Sequence, residues 1–333
     1  MQSNNIVLEN QPPSGAIVMA WGIFLLGPFA AFSPLNSWAG VLLTAVTALL
    51  GIYIFISIVY TRVSSGTDKL SNIGDIPFFG IGTWVAGSSV LAQLLLEYAS
   101  WSLGPVYVLL VISTVVWIVY ISAAAAKLAT LVRDREKRKQ AHGVLLLTTV
   151  STQSLILLYV KMFPASFPIG IGAGLLGIGL LFYIASLPLI LQRFWKHWAN
   201  TNCMVHGALS ISGAAAVKLA VFPAGLLAGF WILTAAAFIF IESLEIFRAV
   251  KRIGHEGLVT GLGIYAVTQW SRNFTFGMFY VFTKNVSLPA AMSFLAPVKN
   301  GILAAGPWVL LVLLVVEGML YIKDYIVTVK TDA

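Results

Sequence analysis

Uncharged apolar stretches long enough to cross a bilayer recur along this chain, and they restrict its possible folds more than any other feature. VYVLLVISTVVWIVYISAAAA (106–126) contains no charged residue, and WVLLVLLVVEGMLYI (308–322) contains one. A lipid interior offers no water to backbone N–H and C=O groups, so such segments must be helices or barrel strands, and about 20 apolar residues make a helix that spans. Of the 333 residues only 10% are charged and 59% are hydrophobic, whereas an ordinary soluble domain carries roughly 25% charged residues. The expected class is an all-α polytopic membrane protein in the cytoplasmic membrane.

Ten transmembrane helices are expected, at roughly 15–33, 37–62, 78–99, 103–132, 143–163, 167–194, 202–221, 223–249, 261–283 and 302–326. They form one domain over 15–326, between a tail at 1–14 and another at 327–333. Lys and Arg sort by side in this scheme. Fifteen of them, including Arg62, Lys69, the run from Arg133 to Lys139, Lys196, Arg248, Lys251 and Lys330, fall on one side. Lys161, Lys218, Lys284 and Lys299 fall on the other, and Arg272 lies inside a helix. Basic residues accumulate in cytoplasmic loops, which puts both termini in the cytoplasm. No Lys or Arg precedes the first apolar run, so a removable signal peptide is not expected.

The net charge of +8 lies between apolar segments and not along a stripe interleaved with aromatics, which argues against nucleic acid. Cys203 is the one cysteine and has no disulfide partner within the chain. His142, His197, His206 and His255 fit no metal-ligand spacing, and neither a nucleophile elbow nor a phosphate loop occurs. No enzyme, cofactor or metal is expected.

The odd helices begin near 15, 78, 143, 202 and 261, so a helical hairpin recurs about every 60 residues, five times. The even helices are bulky and apolar, as lipid-facing helices should be. The odd ones are rich in Gly, Ala, Ser and Thr, which allows close helix packing and equally suits a shared polar axis.

Five stretches on the odd helices, in order, resemble the tellurite-resistance/dicarboxylate transporter family, which includes the slow anion channels of plant guard cells. They are GAIVMAWGI (15–23), TWVAGSSVLA (83–92), VSTQSL (150–155), HGALSIS (206–212) and WSRNFTFGMFYVFT (270–283). The resemblance implies five hairpins around a central pore, odd helices inside and even helices outside, in a homotrimer with one pore per subunit. It also implies that a phenylalanine of the ninth helix plugs the pore, and Phe274 matches it. Thr275 stands where the family usually has proline, Arg272 and Asn273 stand where apolar or small residues are expected, and Val205 replaces a common asparagine.

Within TTVSTQSLILL (148–158), helical periodicity puts Thr148, Ser151 and Thr152 on one stripe and Thr149 and Gln153 on its neighbour. Their hydroxyl and amide groups could replace the hydration of a permeating anion, or satisfy nearby carbonyls and an adjacent helix. Ser88, Ser89, Gly207, Ser210 and Gly277 complete the expected pore lining. Arg272 is a candidate to attract an anion, and pairing with an acid is its other reading. Glu97, Glu242, Glu245 and Glu317 raise proton coupling as a rival mechanism, although Glu245 could pair locally with Arg248. The expected function is a channel or uniporter for small inorganic or organic anions. The alternative is proton-coupled transport of a dicarboxylate, sulfite or a tellurite-type oxyanion, with a membrane-embedded enzyme or scaffold a distant third.

Overall fold

The computed structural model describes residues 12–32, 36–64, 75–101, 103–194 and 198–332. Most of the tail at 1–14, and Lys69 and Lys196 among the topology residues, lie outside this set. Within it every regular element is helical. Seven stretches are long and apolar enough to cross a membrane: Trp38–Tyr60, Asp75–Tyr98, Leu103–Arg133, Gly143–Met162, Ile169–Leu191, Ala224–Gly257 and Ala290–Ile326; Gly15–Ala31 is apolar but shorter. The chain is an all-α, multi-pass membrane protein.

Ten α-helices of 12 residues or more are present among the described residues. They are α1 (Gly15–Leu26), α2 (Asn36–Ser64), α3 (Gly82–Tyr98), α4 (Leu103–Arg133), α5 (Leu147–Met162), α6 (Ile169–Leu191), α7 (Met204–Leu219), α8 (Ala224–Leu262), α9 (Trp270–Asn285) and α10 (Ala296–Asp332). The odd helices run 12 to 17 residues and the even ones 23 to 39. Each odd helix is entered through a 3₁₀ turn: Pro12–Ser14, Phe79–Ile81, Gly143–Leu146, Asn200–Cys203 and Val267–Gln269. Short 3₁₀ turns are common at helix termini.

Packing separates the two sets. Helix α1 packs on α3, α3 on α5, α5 on α7, α7 on α9 and α9 back on α1, closing a ring. Outside it, α2 rests on α1 and α3, α4 on α3 and α5, α6 on α5 and α7, α8 on α7 and α9, and α10 on α9 and α1. Small residues permit the inner contacts: Gly87 of α3 meets the Gly15 carbonyl and Val18 of α1. Bulky side chains on the even helices face outward instead, Leu49 at 67%, Val119 at 66% and Phe247 at 68% exposure. Apolar surface this extensive around a whole bundle suits a lipid surround.

Several boundaries differ from the sequence expectation. Helix α8 does not stop near 249 but continues through Arg252 and His255 until Gly257 breaks it with φ 79°, ψ 167°. Arg248, Ala249, Lys251 and Arg252 are good helix formers and extend an already nucleated helix. Helix α9 begins at Trp270, not 261, because Val267–Gln269 is a 3₁₀ turn. Helix α10 continues through the segment from 327, as far as Asp332.

Candidate functional site

Helix α9 accounts for most of its circumference in contacts that can be named. Toward α7, Thr275 packs on Gly207 and Phe282 on Gly213; toward α1, Gly277 receives Ile23. Outward, Phe276 and Phe279 stack around Phe238 of α8 at ring-centroid distances of 4.6 and 4.7 Å. Thr283 accepts a 2.9 Å hydrogen bond from Trp231 Nε1 of α8, and Tyr280 packs on Gly306 of α10. With the sides toward α7, α1, α8 and α10 occupied, helical periodicity leaves Phe274 and Met278, one turn apart, facing the space enclosed by the inner helices. Both are buried, at 0% and 1% exposure. They belong to an apolar cluster that also includes Met19 and Ile23 of α1, Ala86 of α3, Val150 of α5 and Ala208 and Ile211 of α7.

No proline kink aims Phe274. Thr275 continues the helix, its hydroxyl donating to the Arg272 carbonyl at 3.0 Å. Gly207 and Gly277 sit at helix crossings, where an added Cβ would strike Thr275 and Ile23 respectively. Their job in this arrangement is close approach of α9 to α7 and α1.

The polar stretch of α5 divides between two directions. Thr149 Oγ1 donates to the Gly179 carbonyl at 2.9 Å and Gln153 Nε2 to the Leu176 carbonyl at 3.3 Å, both on α6. Thr152 donates back to Thr148 O at 2.7 Å and accepts from Trp117 Nε1 of α4 at 2.9 Å. These three bind the inner ring to the outer helices, which is the alternative the sequence left open and not the lining role. Ser88 is likewise turned to α4, meeting Ser113 Oγ at 2.7 Å. Thr148, Ser151, Ser89 and Ser210 donate to carbonyls of their own chain three or four residues back. Periodicity puts Ser151 on the side of α5 away from α4 and α6, together with Ser154, which the lining set omitted and the i, i+3 spacing could have supplied.

At the first turns of α7 and α9 lies a buried polar network. His206 Nε2 is 3.1 Å from Glu242 Oε1. Arg272 Nε is 3.1 Å from Glu242 Oε2, and its Nη2 is 3.4 Å from Glu245 Oε2. Neither Arg272 nitrogen has an acceptor in hydrogen-bond geometry among the described residues, so these contacts act by charge. Arg252 completes the group, 3.0 Å from Glu245 Oε1. Arg272 is thus neutralised by two carboxylates and does not present a free charge to an anion. The expected Glu245–Arg248 pair does not form; Arg248 lies over the Trp198 ring at 5.6 Å. Nothing local in the sequence signals that residues 30 apart share a buried ion pair.

At the same end, His142 accepts from Val144 N and meets Thr201 Oγ1 at 2.8 Å, while Gly143 N donates to Asn202 Oδ1 at 3.3 Å, tying the entry of α5 to that of α7. Burial, with the Arg193 guanidinium nearby, pushes the His142 imidazole down to about 4, so it is neutral at physiological pH. At the opposite ends of α3 and α5, Lys161 pairs with Glu97 at 2.7 Å. No group of three or more His, Cys, Asp or Glu able to hold a metal occurs among the described residues.

No protein-family model matches this chain, and a search of curated proteins returns no match.

Proposed function

We propose that the protein is a channel or uniporter for small anions. In this reading it crosses the bilayer ten times as five hairpins, conducts along the ring of odd helices, and is occluded by Phe274. The observation that carries it is the position of Phe274: a fully buried ring, on the one side of α9 not taken up by a neighbouring helix, within an apolar cluster. A hydrophobic constriction blocks ions by excluding water, and movement of one side chain can relieve it. Charge supports an anion over a cation. The five inner helices carry Lys161, Lys218, Arg272 and Lys284 against Glu97 alone. Glu97 is paired with Lys161 and Arg272 with the acids of α8, which leaves Lys218 and Lys284, both exposed, without a carboxylate partner among the described residues. They can raise the local anion concentration at their end of the ring. The chain is, on this proposal, a distant member of the family its odd helices resemble, with both termini cytoplasmic and a trimeric assembly.

The buried His206–Glu242 pair favours a second reading, proton-coupled transport of a dicarboxylate or oxyanion, because it sets a histidine of the inner helix α7 against a carboxylate of α8, beside α9. Chloride release from proteoliposomes holding the purified chain separates the two. A conductive path gives release that follows the chloride gradient at any fixed pH. Coupled transport gives no such chloride release and instead gives uptake of malate or sulfite that follows an imposed proton gradient and loses that dependence in Glu242→Gln.

A further inference from the structure

We infer that the cleft between the α6–α7 connection and the far half of α8 binds the phosphate headgroup of an anionic phospholipid. The cleft, about 490 Å³, is lined by Phe194, Trp198, Leu244 and Phe247 on its apolar side and by Arg248, Lys251, Arg252, His255 and Glu256 on its polar side. Arg252 is committed to Glu245, and Glu256 opposes an anion. Arg248 and Lys251 have no carboxylate partner among the described residues, and Arg248 is held over Trp198 at 5.6 Å. Trp198 Nε1, a donor, is buried without an acceptor among the described residues. Two free cations and an orphaned N–H around one cleft match a phosphate diester.

Depth identifies the source of that phosphate. Phe247 lies roughly 35 Å along α8 from Ala224 at 1.5 Å per residue, close to the hydrocarbon thickness of about 30 Å. Ile239, Phe240, Ile246, Phe247 and Val250 are exposed apolar residues of the far half of α8, and the basic residues follow directly. A lipid whose acyl chains lie along that surface has its headgroup at Arg248 and Lys251. This end of the bundle also carries the excess of Lys and Arg, the side on which anionic lipids gather in a cell membrane.

The inference rests on membrane embedding and not on conduction. Its test is native mass spectrometry of the purified full-length chain in detergent, titrated with dioleoylphosphatidylglycerol, dioleoylphosphatidylcholine or glycerol phosphate. The wild type should retain one phosphatidylglycerol per chain at concentrations where phosphatidylcholine is lost. Arg248→Gln/Lys251→Gln should bind it about tenfold more weakly, and Lys218→Gln/Lys284→Gln, at the other end, should bind as the wild type does. Trp198→Phe, which removes only the N–H and keeps the aromatic stack, should weaken binding in the same direction and gives the answer if the double variant does not elute as a single species. Equal retention of both lipids, or undiminished phosphatidylglycerol binding in both the double variant and Trp198→Phe, overturns the proposal. So does displacement of the lipid by glycerol phosphate at equal concentration, which would make the cleft a site for a soluble phosphate. None of these outcomes depends on ion flux, so this proposal and the anion pathway can fail independently.

Discussion

Arg272 holds one carboxylate oxygen of Glu242 at 3.1 Å while His206 holds the other, also at 3.1 Å, so Glu242 joins α8 both to α7 and to α9, the latter two residues before Phe274. Removing the guanidinium leaves Glu242 and Glu245 buried without it. Breaking a buried pair from one side costs about 3–5 kcal/mol. Arg272→Gln should therefore lower the apparent melting temperature in detergent well below that of the wild type, and Arg272→Gln/Glu242→Gln should recover part of the loss. An Arg272→Gln protein that melts with the wild type would mean the network carries no such stability.

Gly143 should tolerate no side chain. A Cβ there would overlap the Thr201 carbonyl, and backbone on both sides cannot move aside as a flexible side chain could. Gly143→Ala is expected to destabilise by about 2 kcal/mol or more. Gly174→Ala on the exposed side of α6 meets nothing within 4 Å and should be neutral or stabilise by up to about 1 kcal/mol through helix propensity. Comparing the two melting temperatures checks the tight α5–α7 entry directly.

His142 makes stability depend on pH. Below the ordinary imidazole value of 6.5 the unfolded chain takes up a proton that the folded chain, with His142 pushed down to about 4, does not. Folding should thus weaken as pH falls from 6.5 toward 4, by on the order of 3 kcal/mol, with no contribution from this group above 6.5. His142→Asn keeps a side-chain acceptor for Val144 N and removes the titration, so the drop in melting temperature between pH 7 and pH 5 should shrink. An unchanged drop would assign the acid sensitivity elsewhere.

The directions found along α5 predict a contrast between neighbours. In a Phe274→Ala background, Ser154→Phe should reduce anion flux severalfold because it refills the ring interior. Gln153→Leu, turned to α6, should leave flux unchanged and cost little stability, since it exchanges one long hydrogen bond for apolar contact of similar volume. Equal effects of the two substitutions on chloride release from proteoliposomes would contradict the assignment of faces.

The sequence made the helices legible where hydropathy alone decides. Residue size carries a second signal, because small residues such as Gly87, Gly207 and Gly277 occur where helices cross closely and bulky ones such as Leu49 and Val119 where the surface is exposed. The sequence was least informative where tertiary pairing decides. Thr149 and Gln153 look like pore residues from their chemistry, and only the approach of Gly179 and Leu176 on α6 reveals what they bind. Arg272 carries the same ambiguity, since an arginine in a helix reads as a free charge until acids on another helix are brought to it. The end of α8 was misjudged because charged residues mark the limit of the bilayer and not the limit of a helix.

The central claim is that Phe274 closes an anion pathway along the ring of odd helices, and current across a planar bilayer holding the purified protein tests it most directly. Phe274→Ala should carry at least about tenfold more chloride and nitrate current than the wild type, as expected when a dewetted constriction is opened, with no dependence on a pH gradient. If the substituted protein folds and inserts yet conducts no more than the wild type, Phe274 is a packing residue and the account of the gate is wrong.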